Sequence, residues 1–128
     1  MGQGYLIDSD IVIGYLNGKL NDQGMAFMHT VVNKALNISI MTKIEVLSFN
    51  ATEASYKLLT DFIDTAAIFD LDDGIVQQTI ALRKAHKIKT PDAIIAATAM
   101  THKLTLITRN TADFKKVTDI KLSNPYDL

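Results

Sequence analysis

Thr90-Pro91-Asp92-Ala93-Ile94-Ile95-Ala96-Ala97-Thr98-Ala99-Met100 is the stretch on which the fold turns. Thr90 suits an N-cap, and Pro91 suits the first helical position, where a missing N–H costs nothing. Asp92 follows in the first turn, where the helix dipole favours an anion. Beyond it the run is almost wholly apolar and rich in alanine, which lets a helix approach a sheet closely on several faces. The stretch therefore predicts a buried helix with a carboxylate at its start. Taken alone, Asp92 is explained as well by the helix dipole as by a functional role. Its meaning depends on where the chain puts its other acids.

Outward from this helix, short apolar runs alternate with helical patterns. Tyr5-Leu6-Ile7 reads as a first strand ending at Asp8, and Ser9 to Leu16 as a helix capped by Asp8 or Ser9 and closed near Asn17-Gly18. Asn21-Asp22 opens a second helix whose Met25, Phe27, Met28 and Val32 form an apolar surface wider than one core face, a candidate subunit or partner contact. Ile38 to Thr42 is the expected second strand. Lys43 to Phe49 and Ala51 to Ile63 are expected helices, and Ala66 to Leu71 a third strand. Asp72-Asp73-Gly74 caps a further helix; it lacks the remaining spacing and the closing Glu of a calcium loop. Leu104 to Thr108 is the fourth strand and Arg109 to Phe114 a loop or helical turn. Val117 to Leu122 is a candidate edge strand, and Ser123 to Leu128 a tail. Strands alternating with helices predict a single α/β domain over residues 1–128, with three α/β/α layers and a mostly parallel sheet of four to five strands.

The totals narrow the chemistry. The 128 residues carry 48% hydrophobic and 21% charged side chains, an ordinary globular balance. Cysteine is absent, which excludes disulfides and thiolate catalysis and is compatible with a cytoplasmic location. No apolar run has bilayer length, and no signal-peptide order of basic, apolar and small residues is evident. A net charge of −1 means that any footprint for nucleic acid must be local. Met1-Gly2-Gln3-Gly4 reads as a flexible lead-in.

In an open α/β sheet, chemistry collects beyond the carboxyl ends of the strands. Asp8 ends strand one, Glu45 follows strand two and Asp113 follows strand four; Asp92 joins them if the Lys87–Lys89 link crosses back over the sheet. Each acid has a plain structural role available, as cap or solvated residue, but three marked strand ends among 14 acids form a pattern. Two carboxylates about 5 Å apart repel by roughly 3 kcal/mol at an effective dielectric near 20. Such a cluster must stay partly protonated or hold cations, and all-oxygen ligands select hard ions such as magnesium or manganese.

Leu6-Ile7-Asp8-Ser9-Asp10, Ile44-Glu45-Val46-Leu47, Thr90 to Ala99 and Leu106 to Phe114 resemble the four acidic motifs of the PIN-domain family, and the chain as a whole resembles its VapC-type toxins. The resemblance implies a Mg2+- or Mn2+-dependent endoribonuclease of a toxin–antitoxin pair, a homodimer, and an antitoxin partner that blocks the site. The acids it implies for metal binding and catalysis are Asp8, Glu45, Asp92 and Asp113; Ser9 and Asp10 fall where the family varies, and Asp10 is a candidate supporting residue. Thr108 and Asn110 fall where the family often places polar site residues, and Arg109 is a candidate phosphate contact. Arg83, Lys84, His86, Lys87 and Lys89 form a basic run that could meet RNA phosphates or simply suit a helix C-terminus. The alternative function is a catalytically inactive PIN-like module acting through a protein partner. A phosphoacceptor receiver domain would need an adjacent acid pair after strand one and a lysine ending strand five. A nucleotide-binding fold would need a glycine-rich loop after strand one.

Overall fold

A computed structural model describes residues 4–128, so the predicted lead-in at Met1–Gln3 lies outside the described residues. The elements run β1 (Tyr5–Ile7), α1 (Ser9–Leu16), α2 (Asp22–Lys34), β2 (Asn37–Ser39), α3 (Ile40–Leu47) and α4 (Glu53–Asp64). They continue with β3 (Ala67–Phe69), α5 (Asp73–Ala85), α6 (Thr90–Thr101), β4 (Thr105–Ile107), α7 (Thr111–Phe114), β5 (Leu122–Ser123) and a 3₁₀ turn at Pro125–Asp127. All strand pairs are parallel: β1 with β4, β4 with β5, and β2 with β3. The two ladders meet where β2 packs alongside β1 and the Asn37 side-chain amide donates to the Tyr5 carbonyl at 3.1 Å. The strands thus form a three-stranded sheet, β1-β4-β5, and a two-stranded one, β2-β3, that lies beside it with β2 next to β1.

Neighbouring residues of one strand serve different cores, which is what makes three layers. Leu6 and Leu106 stand side by side and pack under α5, α6 and α7 with Ile75, Leu82, Ile95 and Phe114. Ile7 and Ile107, the next pair along, pack on the other face with Ile11, Met28, Ile38, Val46 and Ile63. A strand covered on both faces has no polar alternation to show, hence its continuous apolar run. The α6 helix sits within the first core, with Ala93, Ile95, Ala96, Ala97 and Ala99 essentially inaccessible.

Several boundaries differ from the sequence reading. Lys89 is the N-cap of α6 and Thr90 its first residue, with no side chain capping the turn. The second strand stops at Ser39, because the Ser39 hydroxyl accepts from the Met41 N–H at 3.0 Å and starts α3 three residues earlier than expected. The fifth strand is the short Leu122–Ser123 pairing rather than Val117–Leu122. The wide apolar face of α2 is largely taken up by the core: Met28 is buried, Met25 packs against it, and Phe27 meets Tyr5 edge-on at 5.6 Å. The tail is folded back onto α1 and α2, where Gly14 and Gly24 make room; a Cβ at either would collide with Tyr126 or with the Pro125 carbonyl.

Candidate active site

The chain leaves β1 towards β2 on one side and returns to β4 on the other, so the switch point lies between β1 and β4. Ligands of open α/β sheets bind at such a crevice. Asp8 and Thr108 are the first residues past those two strands. The Asp8 N–H donates to the Ile107 carbonyl at 2.9 Å, and the Thr108 hydroxyl donates to Asp8 Oδ2 at 2.8 Å. Both side chains are buried. Asp8 also caps α1, its Oδ1 accepting from the Ser9 N–H at 2.8 Å. The capping role open to this residue is real, and it coexists with its place at the crevice.

Ser9 links the first acid to the second. Its hydroxyl donates to Glu45 Oε1 at 2.7 Å and lies 3.4 Å from Asp8 Oδ1. Glu45 therefore points from α3 towards α1, and the two carboxylates share one hydroxyl. Burial foremost pushes the Asp8 carboxyl up to about 6; Asp10 and Glu45 add to the rise, while the bonds from Thr108 and Ser9 oppose it.

The other two acids stand together in the open. Asp92, half-buried in the first turn of α6, has a pKa raised first by burial and then by the charges of Asp113 and Asp10. The link from α5 to α6 thus returns the start of α6 to the acidic edge, as membership of Asp92 in the cluster requires. Asp113 on α7 is held by the Asn110 side-chain amide at 2.7 Å, and the Asn110 N–H donates to the Thr108 hydroxyl at 3.0 Å. Thr108 and Asn110, linked to each other in the segment between β4 and α7, thus hold one acid each: Thr108 holds Asp8 and Asn110 holds Asp113. Asp92 and Asp113 line a cleft of about 530 Å³ with Arg83, His86, Lys87, Ile88, Lys89 and Lys116. Arg109 is exposed, with its guanidinium 4.4 Å from the centre of the Tyr126 ring.

Asp10 has a larger part than its motif suggests. It is exposed on the first turn of α1, and its charge acts on both Asp8 and Asp92, so it joins the two acid pairs electrically. The i, i+2 spacing from Asp8 is the sequence signal for this role. Ser9 gives no such signal, because a serine at a helix start ordinarily serves the backbone. Among the described residues, no three His, Cys, Asp or Glu side chains stand close enough together to hold a metal ion as they are. The donor set itself fits a hard cation: every candidate ligand is a carboxylate, and two of them carry raised pKa values that a nearby cation would lower.

A three-layer α/β/α fold with carboxylates gathered at the switch point defines a class of acidic-site α/β proteins. Within that class the PIN-domain family model matches residues 5–120, so the chain belongs to the PIN-domain family. Solved structures agree. A chain of a toxin–antitoxin complex from Klebsiella pneumoniae is 29% identical with a TM-score of 0.77, over 98% of this chain and 100% of that one. A chain of DNA-bound VapBC from Salmonella typhimurium gives 19% identity and a TM-score of 0.81, over 96% and 98% of the two chains. VapBC2 from Rickettsia felis, bound to a DNA fragment from its promoter, gives 21% identity and a TM-score of 0.78, over 94% and 97%. No curated protein sequence matches the chain.

Proposed function

We propose that this protein is a Mg2+- or Mn2+-dependent endoribonuclease that hydrolyses RNA phosphodiester bonds as the toxin of a toxin–antitoxin pair. The observation that carries the reading is the set of acids at the β1/β4 switch point: Asp8 and Glu45 joined through Ser9, Asp92 and Asp113 in one cleft, and Asp10 with a charge that reaches Asp8 and Asp92. A molecule with no cation to offset this charge gains nothing from assembling it. Asp8, Glu45, Asp92 and Asp113 would hold the ion. A bound divalent ion supplies charge neutralisation at the phosphate and activation of water near neutral pH.

The chain's own groups do the rest. Thr108 fixes the rotamer of Asp8 and keeps a lone pair of that carboxylate occupied, which orients the remaining ones. Asn110 does the same for Asp113. Ser9 spaces Asp8 from Glu45. No cysteine is present, and hydrolysis by water needs no covalent nucleophile from the chain.

The antitoxin partner and the homodimer belong to the same proposal. The likeness to chains of toxin–antitoxin complexes supports a protein partner, and so does a groove of about 280 Å³ that Ile13, Leu16, Phe49 and Leu58 line between α1 and α4. Phe49 and Leu58 are about half exposed there, which is unfavourable surface for a chain that acts alone. Among the described residues no helix is long and apolar enough to cross a membrane.

One observation favours the inactive binding module, namely that no three ligands among the described residues stand ready as a metal group. The experiment that separates the readings is RNA cleavage by purified protein with Mg2+ or Mn2+, with EDTA, and with Asp8→Asn and Asp92→Asn. The nuclease reading expects metal-dependent cleavage that both substitutions reduce by more than about a hundredfold, since loss of a mere supporting bond already costs about 10–100-fold. Metal-dependent cleavage undiminished in both variants contradicts the site.

A further inference from the structure

The cleft beside Asp92 and Asp113 is ringed by cations from three separate places in the chain. Arg83 and His86 come from the end of α5, Lys87 and Lys89 from the α5–α6 link, and Lys116 from just after α7. A helix dipole accounts for Arg83, in the last turn of α5. It does not account for Lys89, which precedes a helix N-terminus, or for Lys116, which belongs to another element. Lys89 and Lys116 are close enough to lower the pKa of Asp92, yet neither pairs with it. Among the described residues the ion pair formed is Lys57–Asp61, elsewhere on the surface.

Two bonds shape this rim. The Lys116 ammonium donates to the Lys87 carbonyl at 2.7 Å, tying the segment after α7 to the α5–α6 link. The Arg83 Nε donates to the Ile88 carbonyl at 3.2 Å, which leaves the terminal nitrogens of its guanidinium uncommitted. Arg83, Lys87, Lys89 and Lys116 are all exposed, and among the described residues no side-chain bond occupies the ammonium groups of Lys87 or Lys89. Unpaired cations beside unpaired acids persist where each sign awaits a different partner: the acids a divalent ion, the cations an anionic chain.

We infer that this cleft is a phosphate-binding subsite for single-stranded RNA, holding the backbone that flanks the scissile bond on the Asp92–Asp113 side of the centre. The inference rests on the nuclease reading and adds a direction to it. On the other half, the exposed cation next to Thr108 is Arg109, whose guanidinium lies against the Tyr126 ring. On the Asp92–Asp113 side the substrate strand is anchored through α5, the α5–α6 link and Lys116.

The test is binding of a short fluorescein-labelled single-stranded RNA to the full chain in EDTA, across a salt series, alongside steady-state cleavage with Mn2+. Lys87→Gln with Lys89→Gln is the informative variant, because neither side chain holds the fold together. Lys34→Gln with Lys103→Gln, at the opposite edge of the sheet, is the control. The double variant is expected to weaken binding by about threefold to tenfold and to lower the salt slope by about 1.4, some 0.7 for each phosphate no longer neutralised. KM should rise with kcat nearly unchanged, and the control should match the wild type. Wild-type cleavage with an unaltered slope in the double variant overturns the subsite and leaves the nuclease reading standing. A wild type that neither binds nor cleaves RNA overturns both. Displacement of the RNA by polyglutamate as readily as by polyphosphate overturns the phosphate assignment in favour of an acidic protein segment.

Discussion

Asp8 and Glu45 stand where hydroxyls have already claimed them, whereas Asp92 and Asp113 face an open cleft rimmed by unpaired cations. The first pair is built on β1 and α3, close to the sheet, and burial is the main reason that the Asp8 carboxyl is raised to about 6. The second pair is built on helix starts, and there Asp92 is raised first by burial and then by the charges of Asp113 and Asp10. One half is a fixed frame and the other an accessible mouth. The proposed nuclease would use this division, a rigid ligand set fixing geometry and an exposed one admitting the substrate.

The comparison can be broken most easily at Thr108. Thr108→Val removes the bond to Asp8 and an acceptor used by the Asn110 N–H, so it should cost about 10–100-fold in cleavage. Asn110→Ala, acting on the exposed half, should cost less than Thr108→Val; equal losses would mean the two halves are not differently built. Initial-rate measurements on both variants decide this. Because the Thr108 bond lowers the Asp8 pKa, the acidic limb of the pH–rate profile should also move to higher pH in Thr108→Val.

The stability of the metal-free protein gives the next effect. A carboxyl whose pKa rises from 3.8 to about 6 on folding binds its proton more tightly in the native state. That contribution is complete below about pH 4 and is lost as pH rises through about 6. Its upper limit is about 3 kcal/mol, from roughly two units at about 1.36 kcal/mol each. Urea unfolding in EDTA should therefore show stability from this group declining between those limits, and Asp8→Asn should remove the decline. Metal affinity should run the opposite way, rising over the same interval as Asp8 loses its proton.

A smaller effect sharpens the account of the frame. Thr42 lies one turn before Glu45 on α3, fully buried, and its hydroxyl has no hydrogen-bond partner among the described residues. Thr42→Val keeps the shape and removes the unsatisfied group, so it should stabilise the protein by about 1 kcal/mol without altering cleavage. Loss of activity in that variant would place Thr42 in the site.

Much of this is legible in the sequence for physical reasons. The strands are buried on both faces, so they show as short apolar runs, and an acid directly after such a run must lie at a sheet edge. The alanine-rich stretch after Asp92 reads as a packed helix, and α6 is one. What cannot be read are features decided by a few atoms. Ser39 turns strand into helix with one hydroxyl, shortening the second strand. Lys89 caps α6 because the backbone is extended there, whatever the capping preference of Thr90. The tail packs back because two glycines, distant in sequence, leave the volume Tyr126 and Pro125 need. The cationic rim is visible as a run from Arg83 to Lys89, but its completion by Lys116 depends on a tertiary bond to the Lys87 carbonyl.

The most direct test of the central claim is calorimetric titration of Mn2+ into the purified protein at neutral pH, for the wild type and for Asp8→Asn and Asp92→Asn. The account expects saturable binding in the wild type and binding weakened at least about tenfold in each variant, because it assigns ligands for the ion to both halves of the acid set. Binding equally tight in all three proteins, or absent from the wild type, would contradict it.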